Sequence, residues 1–104
     1  MAKYSVTISQ RAFTSIFECV SFLKKVSIES AEELYKEMMN SIKYLSSYPD
    51  RNPKIANLSI QQIPIRRMII CNGRYAILYK VNNNDVFVYD VLDNRRDNKL
   101  FSIL

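Results

Sequence analysis

The chain has 104 residues, 48% hydrophobic and 24% charged, with a formal charge of +5, one glycine and no histidine. That length makes one domain, residues 1–104, able to bury a core without disulfide or metal staples. It excludes a linker-joined assembly, any chemistry resting on histidine, and a membrane helix, since no apolar run approaches the roughly 20 residues that span a bilayer.

The N-terminal residues lack the apolar core and small-residue cleavage site of a signal peptide, so a cytoplasmic location with no membrane partner is expected. Cys19 and Cys71 stand far apart with no Cys-x-x-Cys motif around either. Two isolated thiols make a poor metal site, so both are read as reduced and semi-buried, and no metal or cofactor is expected. Charge is uneven along the chain. Residues 10–47 and 75–104 each balance, whereas residues 48–74 carry Arg51, Lys54, Arg66, Arg67 and Arg74 against Asp50 alone. A basic patch on one stretch is the footprint of a phosphate-bearing or acidic partner, or else a solvated face.

In chain order, residues 3–8 alternate, with Tyr4, Val6 and Ile8 on one side, and predict a half-buried strand. Ser9 stands at a helix N-cap position, and Ala12, Phe13, Ile16, Phe17, Val20 and Leu23 then recur at helical spacing. Ser27 caps a second helix with the stripe Ala31, Leu34, Tyr35, Met38, Ile42 and Leu45, which stops before Pro49. Residues 49–64 read as irregular. Residues 65–71 are rich in β-branched side chains, Asn72-Gly73 is a hairpin signal, and residues 75–81 alternate as a second strand. After an Asn-rich turn, residues 86–92 are almost continuously apolar, as in a strand buried on both faces. The tail from Asp93 is mixed in charge and ends in Leu100, Phe101, Ile103 and Leu104. The order β-α-α-β-β-β predicts an α+β fold: a small antiparallel-rich sheet with an N-terminal helical hairpin on one face.

This order resembles the RelE/ParE toxin superfamily, plasmid-stabilisation branch, over nearly the whole chain. The resemblance rests on residues 4–9 opening the first helix, on Ile65-Arg66-Arg67-Met68-Ile69-Ile70, on residues 73–81, and on residues 86–97 with their Arg95-Arg96-Asp97 close. It implies a toxin neutralised by a cognate antitoxin, whose acidic and often disordered C-terminal segment wraps the basic surface. The RelE branch cleaves messenger RNA in the ribosomal A site; the ParE branch poisons DNA gyrase by binding, without nuclease activity.

Cleaving RNA through its own 2′-hydroxyl needs a base, an acid for the leaving oxygen, and positive charge at the pentavalent phosphorus. Without histidine or an acidic cluster for two metals, only Arg, Lys and Tyr remain. Free Lys and Tyr titrate near about 10.4 and 10, so such an enzyme would be slow alone and dependence on the ribosome makes physical sense. The resemblance places Arg67 near a strand position where RelE enzymes carry a lysine, and Arg95 and Arg96 where they carry an essential arginine. Arg74 precedes Tyr75, whereas the family's other arginine follows that tyrosine, where this chain has Ala76; Phe101 lies near the position of a late tyrosine. The expected catalytic set is therefore Arg67, Arg74, Arg95 and Arg96, with Tyr89 as a proton-transfer group if its hydroxyl faces the cleft. Lys54, Arg66, Arg67, Arg95 and Arg96 are the expected nucleic-acid contacts. Arg66 and Arg67 point to opposite faces of a strand, so at most one of them shares the cleft. Arg95 and Arg96 pairing with Asp93 and Asp97, and Tyr75, Tyr79 and Tyr89 as sheet packing, are the structural alternatives.

Overall fold

The structure, a computed structural model, describes residues 3–94. Its elements run β1 (Ser5–Ile8), α1 (Gln10–Lys24), α2 (Ile28–Tyr44), β2 (Lys54–Ile60), β3 (Ile63–Ile70), β4 (Tyr75–Asn82) and β5 (Asp85–Asp93). The sheet order is β1-β5-β4-β3-β2, with β1 parallel to β5 and the other pairs antiparallel. This is a mixed, antiparallel-rich sheet with an N-terminal helical hairpin, an α+β fold.

Both helices start at the expected serines. Ser9 Oγ accepts from Ala12 N at 2.9 Å and Ser27 Oγ from Ser30 N at 3.2 Å, each satisfying a helix-start N–H. The apolar stripes bury Ala12, Ile16, Leu34, Met38, Ile42 and Leu45 against Ile70, Tyr75, Ile77, Tyr79, Val86, Val88 and Val91. A second, smaller cluster of Ile65, Leu78 and Leu92 lies apart from it, covered by Ile55, Leu58 and Ile60 of β2.

The stretch read as irregular contains β2, which adds a strand at the sheet edge. Two features hide it from pattern reading. Asn57 takes a left-handed φ of 60° inside the strand, where the register with β3 shifts, so the period-2 alternation breaks. The β2–β3 turn is Gln61-Gln62, with φ of 53° and 68°, a conformation that Asn-Gly would ordinarily announce. The Asn72-Gly73 turn is also longer than two residues: Ile70 pairs with Tyr75, and Cys71, Asn72 and Gly73 all have positive φ.

β5 carries the irregularity that matters for the site. Leu78 pairs with Asp90 and Tyr79 with Val88, so Tyr89 is an extra residue bulged out of the ladder. β1 stops at Ile8, and α1 begins alongside the rest of β5, tied there by Ser9 N to Val88 O (3.0 Å) and Ser9 Oγ to Tyr89 O (2.7 Å).

Candidate nucleic-acid interface

Arg66 and Arg67 diverge as strand geometry requires. Arg66 pairs with Tyr79 and turns to the helix-covered face, where Nη1 donates to Asn52 O at 2.6 Å and Asp50 O at 3.3 Å, while Nη2 lies 3.6 Å from Asp50 Oδ1. Tyr79 fastens the same loop: its hydroxyl donates to Pro49 O at 2.6 Å and accepts from Asn52 Nδ2 at 3.1 Å. Burial raises the Tyr79 pKa, although the Asn52 bond and the Arg66 charge oppose it. Arg66 and Tyr79 thus hold the 49–53 loop on the strands. Arg67 pairs with Leu78 on the opposite, open face, half-buried, and its backbone N–H donates to Pro53 O at 3.0 Å. Lys54 is exposed at the start of β2, opposite Arg66.

Arg74 does not join Arg67. It sits in the β3–β4 turn, its guanidinium carbon 5.3 Å from the centre of the Tyr75 ring, and lines a hollow of about 230 Å³ with Glu33, Leu34 and Glu37 of α2. The hairpin register therefore leaves Arg67 and Arg74 on opposite sides of the sheet. Cys71, in the same turn, donates its backbone N–H to Glu37 Oε2 at 3.0 Å. Burial and the Glu37 carboxylate push its thiol up to about 12, which leaves it protonated and unreactive at neutral pH.

Tyr89 faces the open side of the sheet. Its hydroxyl accepts from Arg11 Nη1 at 2.9 Å, and the Arg11 guanidinium carbon stands 5.2 Å from the ring centre. Asp90 anchors this pair from beneath. Its buried carboxylate accepts from Ser15 Oγ at 2.5 Å and from Val91 N at 2.8 Å, and Oδ2 lies 3.3 Å from Arg11 Nε. Lys80, two residues along β4 from Leu78, shares the face of Arg67; Nζ is 5.5 Å from the Phe87 ring centre. Arg95, Arg96 and the apolar tail residues Leu100, Phe101, Ile103 and Leu104 lie outside the described residues.

Among solved structures, a chain of the chromosomal ParDE toxin–antitoxin (TA) system from P. aeruginosa matches with a TM-score of 0.69 at 11% identity, over 88% of this chain and 96% of that one. A chain of the archaeal RelE-RelB complex from Pyrococcus horikoshii OT3 matches with a TM-score of 0.56 at 14% identity, over 90% of this chain and 98% of that one. The chain has the RelE/ParE fold. No family model and no curated protein matches the sequence.

On this RelE/ParE fold the open sheet face collects Arg67, Lys80, Tyr89 and Arg11, and sequence reasoning named only two of them. Arg11 and Lys80 were missed because each stands in an element read for its apolar pattern. A signal was present: Asp90 interrupts an apolar run, and a buried carboxylate requires a cation and donors. Arg11 and Ser15, four apart on one helix, supply them. Among the described residues no three His, Cys, Asp or Glu side chains come together as a metal site, and no helix is long and apolar enough to cross a membrane.

Proposed function

We propose that the chain is the toxin of a type II toxin–antitoxin pair and acts as a ribosome-dependent messenger-RNA endonuclease, held inactive by a cognate antitoxin. The observation that carries this reading is the gathering of Arg67, Lys80, Arg11 and Tyr89 on one open sheet face, while Arg66 and Arg74 are turned to the other side. In the proposed reaction the 2′-hydroxyl gives its proton to solvent water, its oxygen bonds to the adjacent phosphorus, the bond from phosphorus to the 5′-oxygen breaks, and the 5′-oxygen takes up a proton. Arg67 stabilises the negative charge that builds on the phosphorus oxygens. Arg95 and Arg96 enter this role on the sequence resemblance alone. Tyr89 accepts the Arg11 bond through its oxygen, so its own proton is not used in that bond and is the one given to the leaving 5′-oxygen. The ribosome contributes alignment of the message, which these few side chains do not provide alone.

A second reading, a gyrase poison acting by binding, draws on the higher TM-score to the ParDE chain and on Ala76 at the place of the RelE-type arginine. Expression in cells, followed by primer extension on a translated message and by gel analysis of plasmid supercoiling, separates the two. New 5′ ends inside translated codons support the endonuclease. Growth arrest with intact message and relaxed plasmid moves the assignment to gyrase.

A further inference from the structure

Between the N-terminus of α1 and the β4–β5 hairpin lies a groove of about 510 Å³ whose walls are two cation–aromatic couples, Arg11 with Tyr89 and Lys80 with Phe87, and whose floor includes Ile60 and Gln61. We propose that this groove binds one unpaired nucleotide of a single-stranded nucleic acid, its phosphate at Lys80 and Arg11 and its base against Phe87 and Tyr89. The inference rests on the reading of this face as a nucleic-acid surface. It adds Lys80 and Phe87 as substrate-holding residues beside Tyr89, the proposed proton donor.

Four features point to that ligand. The first is charge: among the described residues the lining has two cations and no carboxylate. Asp90, the acid behind it, is buried and already occupied by Ser15, Arg11 and the Val91 N–H. Among the described residues the contacts of Lys80 are with neutral groups, the Phe87 ring and Gln61 Oε1 at 3.4 Å, which leaves its charge available to a phosphate. The second is preorganisation: Asp90 and Tyr89 fix the Arg11 guanidinium on two sides, so little freedom is lost when it meets an anion. The third is the helix end. Ser9 lines the groove, and α1 has no acid of its own in its first turn to oppose the positive end of its dipole. The fourth is shape. A concavity of this size falls within the roughly 300–1,000 Å³ of small-ligand sites, and it receives a splayed-out base but not a base-paired stack. Aromatic rings beside cations on a strand surface are how unpaired nucleotides are held without regard to sequence.

The test is fluorescence anisotropy of the purified full chain with end-labelled uridine and thymidine 12-mers over a salt series. Lys80→Ala is expected to weaken binding several-fold and to lower the slope of log affinity against log salt by about one. Phe87→Leu keeps an apolar filler and removes the stacking face, with an expected loss of roughly 5-fold or more. Lys80→Arg is expected to restore the salt slope. Circular dichroism and thermal midpoints confirm that each variant is folded. Loss in both variants, whether with the RNA strand alone or with both strands, supports the groove. A wild-type chain that binds neither oligonucleotide, or variants that bind as it does, overturns the inference. The readout is binding rather than toxicity or cleavage, so this outcome is separable from the fate of the endonuclease assignment.

Discussion

The two faces of the sheet differ in what their polar side chains do. On the helix-covered face, Arg66 and the hydroxyl of Tyr79 are directed at backbone carbonyls of the 49–53 loop, and their bonds are satisfied within the fold. On the open face, Lys80 and Arg67 stand over a small apolar cluster, and Arg11 is steadied by Asp90 with its outer side toward the groove. The adjacent Arg66 and Arg67 show how little charge alone says about role. A strand sends one to bind the chain to itself and the other to the open face. Four substitutions and one labelling experiment can break or sharpen that contrast.

The largest expected effect is on the covered side. Met38 is fully buried between α2 and the sheet, and Met38→Ala should cost about 2–5 kcal/mol in a denaturant titration, since it removes three buried heavy atoms and leaves a cavity. Arg66→Ala should follow at about 1–2 kcal/mol, chiefly from the lost bond to Asn52 O, because Asp50 is largely exposed and its ion pair is screened. Gln62→Gly should stabilise by up to about 1 kcal/mol, because glycine removes the left-handed strain at φ 68° but enlarges the unfolded ensemble. Arg67→Ala should change stability by less than about 0.5 kcal/mol. A loss comparable to that of Arg66→Ala would place Arg67 among the structural residues and dissolve the contrast between the faces.

Cys71 gives the smallest effect and a pH dependence of defined sign. Its thiol is lifted from 9.0 to about 12, by burial first and by Glu37 second. A raised thiol pKa favours the folded state while both forms are protonated, so this contribution is intact below pH 9 and declines as pH rises from about 9 toward 12. Iodoacetamide at pH 8 should alkylate native Cys71 much more slowly than the unfolded chain does, as read by mass spectrometry. Equal rates would show the thiol to be unprotected.

Much of the fold was legible because its signals are local. Ser9 and Ser27 at the helix starts, the two apolar stripes, and the apolar run of β5 each follow from side-chain periodicity. β2 was hidden because Asn57, a turn-forming residue type, takes left-handed backbone inside the strand, and because the Gln61-Gln62 turn takes it without a residue type that announces it. The site was legible only in part. That Arg66 and Arg67 separate is strand arithmetic, but the separation of Arg74 depends on a turn longer than Asn72-Gly73 implies. The meeting of Arg11 with Tyr89 and Asp90, nearly eighty residues on, depends on α1 starting beside the β5 bulge, which no local pattern encodes.

The central claim is that the open face acts on messenger RNA through Arg67. Its most direct test is primer extension on a reporter message in a reconstituted translation reaction, with wild-type and folded Arg67→Ala protein side by side. The account predicts new 5′ ends inside translated codons with the wild type, none without ribosomes, and at least a tenfold reduction in Arg67→Ala, the order expected for losing one transition-state charge partner. Undiminished cleavage by Arg67→Ala, or an intact message from wild-type protein that still arrests growth, would contradict it.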